Sequence, residues 1–225
     1  MNLTNLIHAL LEVFPYLEGQ VQEAFGELTV EVGHANVHDM LNQLKSYDAF
    51  LFDTLIDICG VDYLYYGQAD WETDSATTTG FSRAKDTDEI VDVIWTKPRF
   101  AVVYHLLSTK KNHRIRVKVY LEETHLVLPS VCDIWKVANW FEREAYDLYG
   151  ILFSNHPDLR RILTDYGFIG HPFRKDFPVS GHVEVRYDAT IGHVIYEPVD
   201  IQPRVTVPKV IRHDNRYVSD GGEKS

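Results

Sequence analysis

The chain has 225 residues, 45% hydrophobic, 12% aromatic and 24% charged, which supplies a real core and excludes disorder throughout. The formal net charge of -11, with 17 acidic and 3 basic side chains in residues 1–92 against 16 and 19 in residues 93–225, argues against nucleic-acid or anionic-lipid binding, both of which need summed positive charge. Mean hydropathy is -0.21, and no run approaches the roughly 20 apolar residues of a membrane-spanning helix.

Leu3, Leu6, Ile7, Leu10, Leu11 and Phe14 form the apolar stripe of an amphipathic helix ending near Pro15. This leading segment has no basic n-region and no small-residue cleavage site, so it reads as mature, cytoplasmic protein. Leu28, Val30 and Val32 alternate with Thr29 and Glu31 as a strand, and Asn36 is placed to cap a helix carrying Val37, Met40, Leu41 and Leu44. Residues 50–58 are rich in strand formers; Gly60 reads as their stop, with 61–66 as the edge of a further strand. Residues 67–92 are polar, Thr-rich and acidic without a period, the pattern of a long loop insertion.

Residues 100–107 form a compact apolar run, and 114–121 alternate strictly, with Ile115, Val117, Val119 and Leu121 opposed to Arg114, Arg116, Lys118 and Tyr120. Together they predict a hairpin with one face on helices and a basic face toward solvent or a partner. Pro129 and Ser130 open the clearest helix pattern, with Ser130 at the N-cap, Asp133 three residues on, a stripe of Ile134, Val137, Ala138, Phe141, Ala145 and Leu148, and Gly150 as the stop. Residues 151–181 are turn-rich chain locked by prolines and aromatics. Residues 182–225, with Pro198, Pro203 and Pro208, read as an extended tail that takes its structure from a partner surface. The expected fold is α+β: a two-layer mixed β-sheet packed by helices over 1–181, interrupted by the 67–92 loop and followed by the 182–225 tail.

The search for chemistry finds little that stands alone. Cys59 and Cys132 are too few for a disulfide framework, a zinc knuckle or a four-thiolate cluster. His34 and His38 flank a helix start instead of sharing one face, and no nucleophile elbow or glycine-rich phosphate loop is present. Glu142, Arg143, Glu144 and Asp147 lie on one predicted helix, where Arg143 and Asp147 have the spacing of an i, i+4 surface pair worth only ~0.3–0.5 kcal/mol. Their crowding by Phe141, Tyr146, Leu148 and Tyr149 predicts that some of these charges are buried and paired. Arg160, Arg161, Arg174 and Lys175, set with His156 and His171 among proline-fixed turns and aromatics, form the best interaction candidate.

The run EREAYDLYGILFSNHPDLRRIL at 142–163 closely resembles the motif of the thirty-kilodalton subunit family of respiratory complex I. The likeness continues through GHPFRKDFP at 170–178 and, upstream, includes GVDY at 60–63, the two predicted hairpin strands and NWF at 139–141. The resemblance implies a non-catalytic peripheral-arm subunit of a proton-translocating NADH-quinone oxidoreductase, lying at the cytoplasmic face of the bacterial inner membrane. No catalytic, cofactor or metal residue is implied in this chain; FMN and iron-sulfur clusters would belong to partner subunits. The implied partners are the quinone-module and cluster-carrying subunits, with membrane contact only through the complex and no nucleic acid. Glu142, Arg143, Glu144, Asp147, His156, Arg160, Arg161, His171, Arg174 and Lys175 are the expected structural ion pairs and interface residues. The module also occurs in related membrane-bound hydrogenases and dehydrogenases, where it would serve the same docking role.

Overall fold

The computed structural model describes residues 3–66 and 95–201. The loop predicted over 67–92 and the end of the tail beyond Ile201 lie outside the described residues. The chain forms two units, one of Met1–Leu64 with Lys97–Val179 and one of Tyr65–Thr96 with Ser180–Ser225.

The first unit is built on a five-stranded sheet in the order β1-β2-β5-β4-β3. Its strands are β1 (Val21–Ala24), β2 (Glu27–Glu31), β3 (Thr54–Asp62), β4 (Phe100–Ser108) and β5 (His113–Leu121). β2 runs parallel to β5 and every other neighbour is antiparallel, so the sheet is mixed. Register places Val30, Val117, Tyr104 and Ile58 in one row, on the face that carries the core. The helices α1 (Leu3–Val13), α2 (Val37–Ser46) and α3 (Ala138–Tyr149) contribute Leu6, Leu10, Met40, Leu41, Leu44, Ala138 and Ala145 to the same buried cluster. The adjacent row, Thr29, Arg116, His105 and Asp57, is polar and lies on the opposite face. Two parallel three-residue strands, β6 (Val127–Pro129) and β7 (Leu152–Ser154), flank α3.

Several sequence expectations need correction. On the predicted basic sheet face, Arg116 is paired with Glu27. Asn36 stands at the N-cap of α2 but its side chain makes no capping bond. Gly60 does not end a strand: β3 runs through it, and a Cβ there would lie 2.4 Å from the Tyr149 ring of α3. The glycine is needed for close packing and not for a turn. α3 begins at Ala138, later than the Ser130 cap predicts; residues 131–135 form a separate turn, in which the Trp135 N–H donates to the Val131 carbonyl at 2.9 Å. The Ser130 hydroxyl donates to Glu142 and accepts the Cys132 N–H at 3.2 Å, the Lys45 ammonium donates to the Ile134 carbonyl, and His38 reaches Asp133 at 3.0 Å. Gly150, with φ +78°, terminates α3 as expected.

The second unit, where the tail was expected to be extended, contains a hairpin of β8 (Val183–Asp188) and β9 (His193–Pro198). The Asp188 carboxylate accepts the Thr190 N–H at 2.8 Å and its carbonyl accepts the Gly192 N–H at 2.9 Å, closing the turn.

Candidate functional site

The candidate residues cluster around α3 and the turn-rich chain that follows it. Asp147 is fully buried, and its carboxylate is wrapped by the turn at 162–164. Oδ2 accepts the N–H groups of Ile162, Leu163 and Thr164 at 3.0, 2.8 and 2.8 Å. Oδ1 accepts the Thr164 hydroxyl and the Arg161 guanidinium, the latter at 2.8 Å. Burial pushes this carboxyl up, but the Thr164 hydroxyl and the three N–H groups outweigh it and hold it at about 2. The arrangement is an anion nest in which the anion belongs to the protein.

Arg161 also donates to the Gly170 carbonyl at 3.0 Å, and His171 Nδ1 donates to the Asp147 backbone carbonyl at 2.9 Å, so both ends of the 161–171 segment are tied to the last turns of α3. Arg174 Nε donates to the Tyr149 carbonyl at 2.7 Å while its guanidinium lies over the Phe100 ring. Arg143 does not pair with Asp147 as the i, i+4 spacing suggests. It donates to the carbonyls of Arg160 and Arg161, each at 3.0 Å, and so clamps the approach to the nest. Arg160 forms an exposed pair with Asp158 at 2.8 Å. Glu144 makes no ion pair among the described residues; it lines a groove of about 150 Å³ with Asp57, Cys59, Tyr149 and Phe173.

Asp62 performs a second clamping task that sequence reasoning missed. Its buried carboxylate accepts a bidentate pair from Arg99 at 2.8 and 2.9 Å, the Leu64 N–H at 3.0 Å and the Lys175 N–H at 2.8 Å. Burial raises its pKa, and the Arg99 guanidinium with the two N–H groups brings it below the ordinary carboxylate range. Lys175 therefore contributes through its backbone, while Asp176 adds a contact to Arg99 at 3.0 Å. The signal available in sequence was the Asp within GVDY; its partner Arg99 is separated from it by the whole 67–92 stretch.

At the other end of α3, Glu142 is completely buried. Its carboxylate accepts the Val131 N–H and the Ser130 hydroxyl, both at 2.7 Å, and the Cys132 thiol at 3.5 Å. Desolvation prevails here and raises its pKa, and burial likewise pushes the Cys132 thiol up to about 11. His156 Nε2 lies 3.9 Å from Glu142, and ligand atoms of Cys132, Glu142 and His156 fall within 4.8 Å of one another. The proton on His156 decides what this trio can do. Nδ1 accepts the Asp158 N–H at 3.0 Å, so Nε2 carries the hydrogen and donates to the Asn139 carbonyl at 3.2 Å. The nitrogen facing the cluster thus presents a proton where a metal ligand needs a lone pair. The trio is a hydrogen-bonded anchor joining 130–132, α3 and 156–158.

These clamps present apolar side chains outward. Trp140 on α3 and Leu163, Tyr166, Ile169 and Phe173 on the clamped segment are all exposed. The ordered turns thus carry aromatic and aliphatic side chains at the surface.

The family model for the respiratory-chain NADH dehydrogenase 30 Kd subunit matches residues 30–183. The chain is 63% identical over 206 residues to a subunit of the NADH-quinone oxidoreductase of Legionella pneumophila strain Lens, covering 92% of this chain and 91% of that one. It is 55% identical over 200 residues to the counterpart from Coxiella burnetii strain RSA 493, covering 88% and 86%. Its fold is shared, at a TM-score of 0.55 and 21% identity, with a chain of the archaeal membrane-bound sulfane sulfur reductase, over 78% of this chain and 85% of that one. The chain belongs to the thirty-kilodalton subunit family of the respiratory-chain NADH dehydrogenase, complex I.

Proposed function

We propose that, within the NADH-quinone oxidoreductase, this chain is a non-catalytic support that docks the cluster-carrying subunits and the quinone-reducing module at the cytoplasmic face of the inner membrane. Electrons then pass from NADH through FMN and iron-sulfur centres held by its partners, and this chain fixes their relative placement. The observation that carries the reading is the pair of carboxylate clamps at Asp147 and Asp62, which immobilise residues 160–176 while leaving Leu163, Tyr166, Ile169 and Phe173 exposed. Ordering such a surface before binding lowers the entropy cost of association, and aromatic side chains beside arginine are the common composition of interface hot spots. No helix among the described residues is long and apolar enough to cross a membrane.

Arg143→Ala tests the reading, because it frees the Arg160 and Arg161 carbonyls without altering an exposed apolar side chain. The amount of assembled oxidoreductase in membranes should fall several-fold, while NADH-quinone turnover per assembled complex stays near wild type. Full assembly with lost turnover would overturn the supporting role and point to a direct part in electron or proton transfer.

A further inference from the structure

The chain passes between its two units three times, after Leu64, before Lys97 and after Val179. All three passages leave the first unit beside one buried carboxylate. Asp62 stands two residues before the first passage, Arg99 two residues inside the second, and Asp176 three residues before the third. The Asp62 carboxylate accepts the Arg99 fork at 2.8 and 2.9 Å, the Leu64 N–H at 3.0 Å and the Lys175 N–H at 2.8 Å. Arg99 also reaches Asp176 at 3.0 Å and the exposed Glu123 at 2.8 Å. The Tyr63 N–H donates to the Arg99 carbonyl at 2.8 Å, and beyond that bond the Tyr66 and Trp95 rings meet edge to face with centroids 5.1 Å apart. An extended residue spans at most about 3.6 Å, so each passage begins within roughly 15 Å of the same carboxylate.

The third passage is the informative one. β3 and β4 are antiparallel neighbours with Asp62 opposite Phe100, so sheet register alone sets the first two side by side. The third comes from chain 113 residues beyond Asp62 and is drawn to them by the Lys175 N–H and the Asp176 carboxylate. A body joined through one point pivots about it, and the few residues at that point control its freedom. We infer that the Asp62–Arg99 cluster is a conformational device, the single tether of the second unit. While the cluster is closed it restricts that unit, and its opening frees the β8–β9 hairpin and the stems of the 65–96 stretch together, without unfolding the sheet. The device belongs to this chain by itself and does not depend on the assembly role proposed above.

The test is amide hydrogen exchange read by mass spectrometry on the full chain, comparing wild type with Asp62→Asn and with Arg99→Lys, which keeps the charge and loses the fork. Exchange should quicken by about ten-fold at 63–66, 95–99 and 175–180 together, as expected when charged hydrogen bonds are lost, while β4 and β5 stay as protected as in wild type. Arg143→Ala should loosen 160–164 and leave the three passages unchanged. Nitroxide labels carried by noncanonical residues at Lys110 in the first unit and Ala189 in the hairpin turn should give a broader distance distribution in both cluster variants than in wild type. Loosening confined to 175–180, or unchanged exchange, would reduce the cluster to a local clamp and overturn the inference. Loss of protection in β4 and β5 as well would make Asp62 a part of the core, and an unaltered distance distribution would show that the second unit is held elsewhere; either result overturns the tether.

Discussion

Helix α3 carries two fully buried carboxylates, Glu142 and Asp147, and their surroundings shift them in opposite directions. Around Glu142, desolvation outweighs the Val131 N–H and the Ser130 hydroxyl, and the acid form is favoured. Around Asp147, three N–H groups, a hydroxyl and a guanidinium converge, and the charged form wins. Depth of desolvation and the number and charge of donors aimed at the oxygens together decide ionisation. The same contrast separates two kinds of anchor. One holds elements within the core, and the other orders a displayed segment.

The largest effect should come from Asp147→Ala, which leaves the Arg161 guanidinium and the 162–164 N–H groups without their acceptor. Urea unfolding of the full chain at pH 7 should show a loss of about 3–5 kcal/mol, and a loss of only a few tenths would mean that the nest holds its shape without its anion. Next in size are the isosteric changes and their pH dependence. Asp147 lies below its ordinary value of 3.8, at about 2, so its contribution of about 2.5 kcal/mol is present above pH 4 and drains away as pH falls toward 2. Glu142 is raised, so its contribution has the other sign: the fold is favoured where this group is protonated and loses that advantage as pH rises through the folded value. Asp147→Asn should accordingly cost about 2 kcal/mol at pH 7 and flatten the acid limb of the stability curve, whereas Glu142→Gln should cost less than about 1 kcal/mol. Equal costs at the two sites would abolish the distinction. The smallest change is expected from Cys132→Ala: its sulfur is 3.5 Å from Glu142, a weak donor contact, and unfolding should shift by less than about 1 kcal/mol.

Local periodicity made some elements readable and hid others. The β4–β5 hairpin and α1 follow directly from alternation and from the i, i+3, i+4 stripe, because each buries one regular face. β1 was invisible: Val21–Ala24 has two polar residues in four and is held by backbone pairing with β2. Gly60 misled because sequence cannot show that an aromatic ring from α3 will press on that backbone. Ser130 accepts the Cys132 N–H as a cap would, yet its hydroxyl donates to Glu142 and Asp133 meets His38, partners brought in by the tertiary fold. The crowding of charges on α3 did signal burial, but helical spacing nominated Arg143 as the partner of Asp147, when the guanidinium comes from Arg161. The family motif marked a segment without revealing which of its atoms meet. In the tail, Val183, Val185 and Tyr187 alternate as a strand would, but prolines nearby weighed toward an extended reading.

The pairing of β2 with β5 joins residues 87 positions apart, as between Thr29 and Arg116. Parallel contacts over such a separation form slowly, since the loop-closure entropy must be overcome before the contact stabilises anything. During synthesis, the apolar stripes of α1 and α2 emerge long before β5 can complete the sheet they rest on. Until the ribosome has released residue 121, the first half of this chain is an unfinished sheet with an open edge at β2, the state in which a nascent polypeptide depends most on chaperones.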